Sequence, residues 1–82
     1  VADLREEIEI LLKRAEAFKR DAEVDYENGD FDISMFHLEQ AIQLLIKAKL
    51  LEIKGSYTRT HSLRRLLLEL ADFGVKTRLR RF

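Results

Sequence analysis

The chain contains no cysteine, no proline and no tryptophan, and only three glycines, Gly29, Gly55 and Gly74. Without cysteine there is no disulfide staple, no thiolate nucleophile and no cysteine metal site. Without proline, and with glycine so sparse, little interrupts helical geometry, and the chain reads as nearly all helix. No apolar run approaches the roughly 20 residues needed to cross a bilayer, so no membrane partner is expected. The opening Val-Ala-Asp-Leu-Arg-Glu-Glu is charged and amphipathic, unlike a secretory leader. Together with the missing cysteines, this suits a cytoplasmic setting.

What is present is charge and apolar periodicity. The 82 residues carry 15 basic and 15 acidic side chains, for a net charge of zero. The balance hides a split. Residues 1–54 hold thirteen acids and eight bases, whereas residues 55–82 hold seven bases and two acids. Such a split suits an internal or inter-subunit electrostatic match, or a basic face for an anion. A single domain spanning residues 1–82 is expected. At this size it buries a limited fraction of its surface, so association with another chain is in view.

Three helices are legible. Leu4, Ile8, Leu11, Ala15, Phe18 and Ala22 recur in steps of four and three, one apolar stripe on a helix from Asp3 to about Asn28. Asp3 is placed to cap it, with Glu6 three residues on, and Gly29 to end it. Asp30 or Asp32 would cap a second helix running to about Lys54 and stopped by Gly55. There Phe31, Met35, Leu38, Ile42 and Leu45 form one stripe, and Ile33, Phe36, Leu44, Ile46 and Leu51 spread apolar character around the circumference. Such a helix is expected to be central and packed on more than one side, and in a chain this short one of those sides is available to a second subunit. Thr60 or Ser62 would cap a third helix from about His61 to Phe73, with Leu63, Leu66, Leu67 and Leu70 buried. Beyond Gly74, the spacing of Val75, Leu79 and Phe82 predicts a short fourth helix or a helical continuation. The fold class is therefore all-α: an up-and-down bundle of three main helices plus a short C-terminal helix. Phe18, Phe31, Phe36 and Phe73 fall at helical spacing and are expected in the core.

One constellation goes further. Ala22 and Tyr26 are followed by the Gly29-Asp30-Phe31 turn, by Phe36 and Gln40-Ala41, by Lys47, and by Thr60-His61-Ser62-Leu63. In order and spacing these residues resemble the HEPN family (higher eukaryotes and prokaryotes nucleotide-binding domain) over about residues 8 to 72. The resemblance implies a helical bundle that commonly dimerises, hence a homodimer here. It implies a nucleotidyltransferase as partner and nucleotide or RNA as ligand, and in some members ribonuclease activity. Those ribonucleases carry Arg followed by His after four to six residues. Here Arg59 and His61 have one residue between them, and no His follows Arg78, Arg80 or Arg81. The nuclease pair is not carried over, and no catalytic residue is assigned.

The candidate nucleotide- or RNA-binding residues are His61, Arg59, Arg64 and Arg65. A histidine at a helix start can meet a phosphate near exposed backbone N–H groups, and guanidinium matches phosphate bidentately. The competing role for His61 is to fix the junction of loop and helix. His37, with Gln40 three residues on, lacks the three or four ligands that zinc takes, so it is read as structural. No metal and no cofactor is expected. Glu39, Gln40 and Gln43 would need partners if buried. The tail Lys76-Thr77-Arg78-Leu79-Arg80-Arg81-Phe82 could touch phosphates, but RNA readers interleave more aromatics than this. The leading expectation is a non-catalytic HEPN-like domain for dimerisation or partner binding that contacts nucleotide or RNA phosphates. The alternatives are a ribonuclease or nucleotide-dependent enzyme using His61, and a trimmed or engineered bundle with no activity of its own.

Overall fold

The computed structural model describes the backbone of residues 3–80 and the side chains of residues 3–76; the side chains of Thr77, Arg78, Leu79 and Arg80, and all of Val1, Ala2, Arg81 and Phe82, lie outside the described residues. Three helices follow in order, α1 (Leu4–Glu27), α2 (Phe31–Lys54) and α3 (Leu63–Arg80). Among the described residues no helix is long and apolar enough to cross a membrane.

Local chemistry sets the boundaries. Asp3 caps α1, its Oδ1 accepting from the Glu6 N–H at 2.8 Å, which satisfies one of the amides a helix start leaves unpaired. At the other end Gly29 turns left-handed (φ 81°). Its N–H bonds to the Tyr26 carbonyl and that of Asp30 to the Asp25 carbonyl, the paired closure of a Schellman motif. Asp30 holds the cap position of α2 but makes no side-chain bond to the helix amides. Gly55, again left-handed (φ 80°), closes α2 with a bond from its N–H to the Leu51 carbonyl. Ser62 caps α3 by accepting from the Arg65 N–H, and Thr60 accepts from the Ser62 N–H within the loop. His61 therefore stands in the loop, ahead of the helix.

The helix α3 passes through Gly74 without a break, so the residues beyond it continue α3. An interior glycine costs only about 1 kcal/mol relative to alanine, too little to stop a helix whose neighbours favour it.

Helices α1 and α2 form an antiparallel hairpin along a seam with heptad spacing. Ile8, Leu11, Ala15, Phe18, Ala22 and Asp25 face Ser34, His37, Ala41, Leu44, Ala48 and Leu51, each set alternating steps of three and four. Ala15, Ala22, Ala41 and Ala48 are all 5% exposed or less. Small side chains at the contact let two helix backbones approach closely. The Ser34 hydroxyl, also in the seam, donates to the Ala22 carbonyl at 2.7 Å.

A second core lies on the other flank of α2, where Ile46, Leu50 and Leu66 pack with Tyr57, Leu63 and Leu70. Helix α3 rests on α2 and, among the described residues, makes no close approach to α1. The loop after Gly55 doubles back, so α3 starts beside the middle of α2 and advances along it in the same sense until Glu69 reaches Lys54. Glu69 ties this junction: it accepts from the Thr58 N–H at 3.1 Å and from the Lys54 ammonium at 3.1 Å. Burial pushes the Glu69 carboxyl up, but those two donors outweigh it and hold the pKa below the ordinary value of 4.5.

Several expectations about burial fail. Leu67, expected on the buried face of the third helix, is 47% exposed, because Leu63, Leu66 and Leu70 are the residues that α3 turns toward α2. Phe31 and Phe36 are exposed, at 58% and 56%, whereas Phe18 and Phe73 are half-buried. The stripe Phe31, Met35, Leu38, Ile42 and Leu45 is not what α2 buries; every member is between 36% and 64% exposed. The hairpin selects the small-residue stripe because close backbone approach excludes the bulky one.

Two predictions follow from the packing. Ala41→Leu should cost roughly 1–3 kcal/mol by wedging the seam apart, while Gly74→Ala, with nothing within 4 Å of the added Cβ, should gain up to about 1 kcal/mol. Urea unfolding of both variants checks this, and a neutral Ala41→Leu would contradict the seam. The second concerns pH. Because its folded-state pKa is depressed, Glu69 contributes fully above the unfolded-state value and loses that contribution as pH falls through the folded-state one. Stability of wild type minus that of Glu69→Gln should therefore shrink on the acid side of 4.5.

Candidate functional site

The residue pattern around His61 becomes a place once the loop doubles back. Lys47 from α2, together with Tyr57, Arg59, Thr60 and His61 from the loop, lines an open recess of about 410 Å³. The Lys47 ammonium lies 5.5 Å from the centroid of the Tyr57 ring, within reach of a cation–π attraction. That contact holds the lysine against the floor while Tyr57 itself packs into both cores. Arg59 and His61 are exposed at the rim.

The lining thus holds two fixed cations, one histidine, the hydroxyls of Thr60 and Tyr57 and the aromatic face of Tyr57, with no carboxylate among them. Such a set can attract and hydrogen-bond an anionic group. It offers no paired acid and base positioned for proton transfer.

Of the four sequence candidates, the structure brings His61 and Arg59 together in this recess. Arg64 and Arg65 do not line it; both are exposed on the first turn of α3. Lys47 was not among the candidates, although it is the one cation that α2 contributes to the lining. The available signal was a lysine set in the apolar run Leu44-Leu45-Ile46-Lys47-Ala48. That run alone does not say that a loop ten residues later folds over it.

The second histidine has a different setting. His37 Nδ1 sits 2.6 Å from Asp25 Oδ2 across the α1–α2 seam. Its ring lies 5.9 Å from that of Phe18 and 5.7 Å from that of Phe36. A carboxylate at Nδ1 orients the imidazole and selects the tautomer that donates from that nitrogen. The pair occupies seam positions where an apolar residue would otherwise stand, and a polar pair there favours one register of the hairpin. His37 thus takes a structural role. Of the other polar residues on α2, Gln43 is buried, Gln40 is half-buried and Glu39 is exposed. Among the described residues no group of three or more His, Asp and Glu side chains could hold a metal ion.

Comparison with curated proteins and with solved structures gives no match. The family model of the HEPN domain matches residues 8–82, which takes in both core clusters and the whole recess. With nearly the whole chain matched, including all of α2 and α3 and α1 from Ile8 onward, the chain belongs to the HEPN domain family.

Proposed function

We propose that this HEPN domain is a non-catalytic association module that pairs with a second copy of itself through the uncovered face of α2. The observation that carries the reading is the exposed stripe Phe31, Met35, Leu38, Ile42 and Leu45. Five large apolar side chains at helical spacing, left in water together, mark an interaction surface rather than scattered surface residues. Burying a fully exposed side chain of this size contributes about 1.5–3 kcal/mol, and each member has between 36% and 64% of its surface still to cover.

Charge argues for a like partner. Among the described residues no ion pair joins an acid of residues 3–54 to a base of residues 55–76; the single pair between these segments, Lys54–Glu69, has the reverse polarity. The acids of residues 3–54 and the bases of residues 55–76 that are described therefore do not pair with each other within one subunit, and a two-fold pair can set one against the other. A nucleotidyltransferase, the partner the family implies, is the occupant to examine if the chain does not self-associate.

A second reading concerns ligand. Lys47, Arg59 and His61 share one recess with an aromatic face, which supports contact with a nucleotide or RNA phosphate.

Sedimentation equilibrium should show a dimer at micromolar concentration, and Ile42→Glu, which places a charge in the stripe, should return it to monomer. A wild-type chain that stays monomeric at millimolar concentration would sink the self-association reading. For the recess, affinity for ATP or a short RNA should fall as salt rises and fall again in a Lys47→Gln, Arg59→Gln variant. RNA should remain uncut by wild type and by His61→Ala alike. Cleavage by wild type that His61→Ala abolishes would replace the non-catalytic reading with an enzymatic one.

A further inference from the structure

The reading above leaves open which segment of the second copy covers α2. Because α3 starts beside the middle of α2, it covers only the C-terminal part of that flank, around Ile46 and Leu50. Toward the N-terminus an open groove of about 440 Å³ remains, with Met35, Phe36, Leu38 and Ile42 as apolar floor, Leu63 at one end and the carboxylates of Asp32 and Glu39. Neither carboxylate has an ion-pair partner among the described residues. The groove calls for an apolar helix face that brings a cation with it.

The outer face of α3 has that character. Arg64, Leu68, Ala71 and Val75 follow at steps of four, three and four, so they share one side of the helix. All are exposed, and Leu67 beside them is 47% exposed. Arg64 and Arg65 flank Leu68, and neither has an ion-pair partner among the described residues. Groove and helix face cannot meet within one chain. Leu66 and Leu70 commit the inner side of α3 to the second core, and from Leu63 onward the helix runs away from the groove.

Resting on the self-association reading, we propose that in the dimer the outer face of α3 from each copy lies in the α2 groove of the other. Leu68 enters between Met35 and Ile42, and Arg64 meets Asp32 and Glu39. Two copies of this contact close about a two-fold axis, and each uses the same two surfaces. The exposed apolar residues of α2 and of α3 are then covered together, and opposite charges meet at their rims.

The absence of native cysteine makes this directly testable in the full chain. Met35→Cys and Leu68→Cys, both at exposed positions, are mixed in equal amounts and oxidised. The expected product is the mixed 35–68 disulfide, in excess over either homodisulfide. In a separate arm without cysteine, Glu39→Arg should weaken the dimer about tenfold, and adding Arg64→Glu to the same chain should restore it. Dominance of the 35–35 disulfide, or no recovery in the double variant, would overturn the seating of α3 while leaving self-association in place. A monomer in sedimentation, with no cross-link above that of unfolded chain, overturns both.

Discussion

The close contact of α1 with α2 through Ala15, Ala22, Ala41, Ala48 and Ser34 is the constraint on which the remainder of this molecule depends. Small side chains bring the two backbones together, and packing at short range is what a hairpin of two 24-residue helices needs for stability, since helices within proteins draw most of theirs from tertiary packing. The same closeness leaves no room for Phe31, Met35, Leu38, Ile42 or Leu45 in the seam. They are turned to another side of α2, where each is left between 36% and 64% exposed. The surface assigned to association is thus a by-product of how the hairpin is packed.

Helix α2 serves three surfaces at once: the seam with α1, the second core with α3, and the open stripe. Its placement explains why one loop carries the candidate ligand recess. To reach the second core, the chain must turn back at Gly55 and run alongside α2 before starting α3. That return lays Tyr57 over Lys47 and sets Arg59 and His61 beside it. Glu69 then fastens the loop to α3 and to the end of α2 through Thr58 and Lys54. The recess is therefore packed at its base, where Tyr57 meets both cores, and open at its rim.

Helix boundaries were legible because their causes are local. Asp3, Gly29, Gly55 and Ser62 act within three or four residues of themselves, and their chemistry reads the same in a sequence as in a fold. Gly74 was ambiguous for a related reason. Its local cost is small, and whether a helix absorbs it depends on the residues either side. The choice between the two stripes of α2 was not legible. Both repeat at helical period, and hydrophobic bulk favours the Phe31 stripe, while the winning stripe is decided by the alanines of α1 that face it. The polar seam pair was hidden as well: nothing near His37 in sequence indicates Asp25, twelve residues earlier.

Half of the candidate site was readable in the same sense. Arg59 and His61 are near neighbours in the chain, so their proximity needed no fold. Lys47 joins them, and Arg64 and Arg65 leave them, because of a chain reversal that brings α2 beside the loop while the first turn of α3 carries its arginines outward. The sequence by itself determined the helices, their caps, the unequal division of charge and the likeness to the HEPN family. Only the tertiary structure decided which face of α2 is buried, which stays open, and which cations gather around Tyr57. Periodicity assigns residues to faces of a helix, but the partner helix and its side-chain volumes choose among those faces.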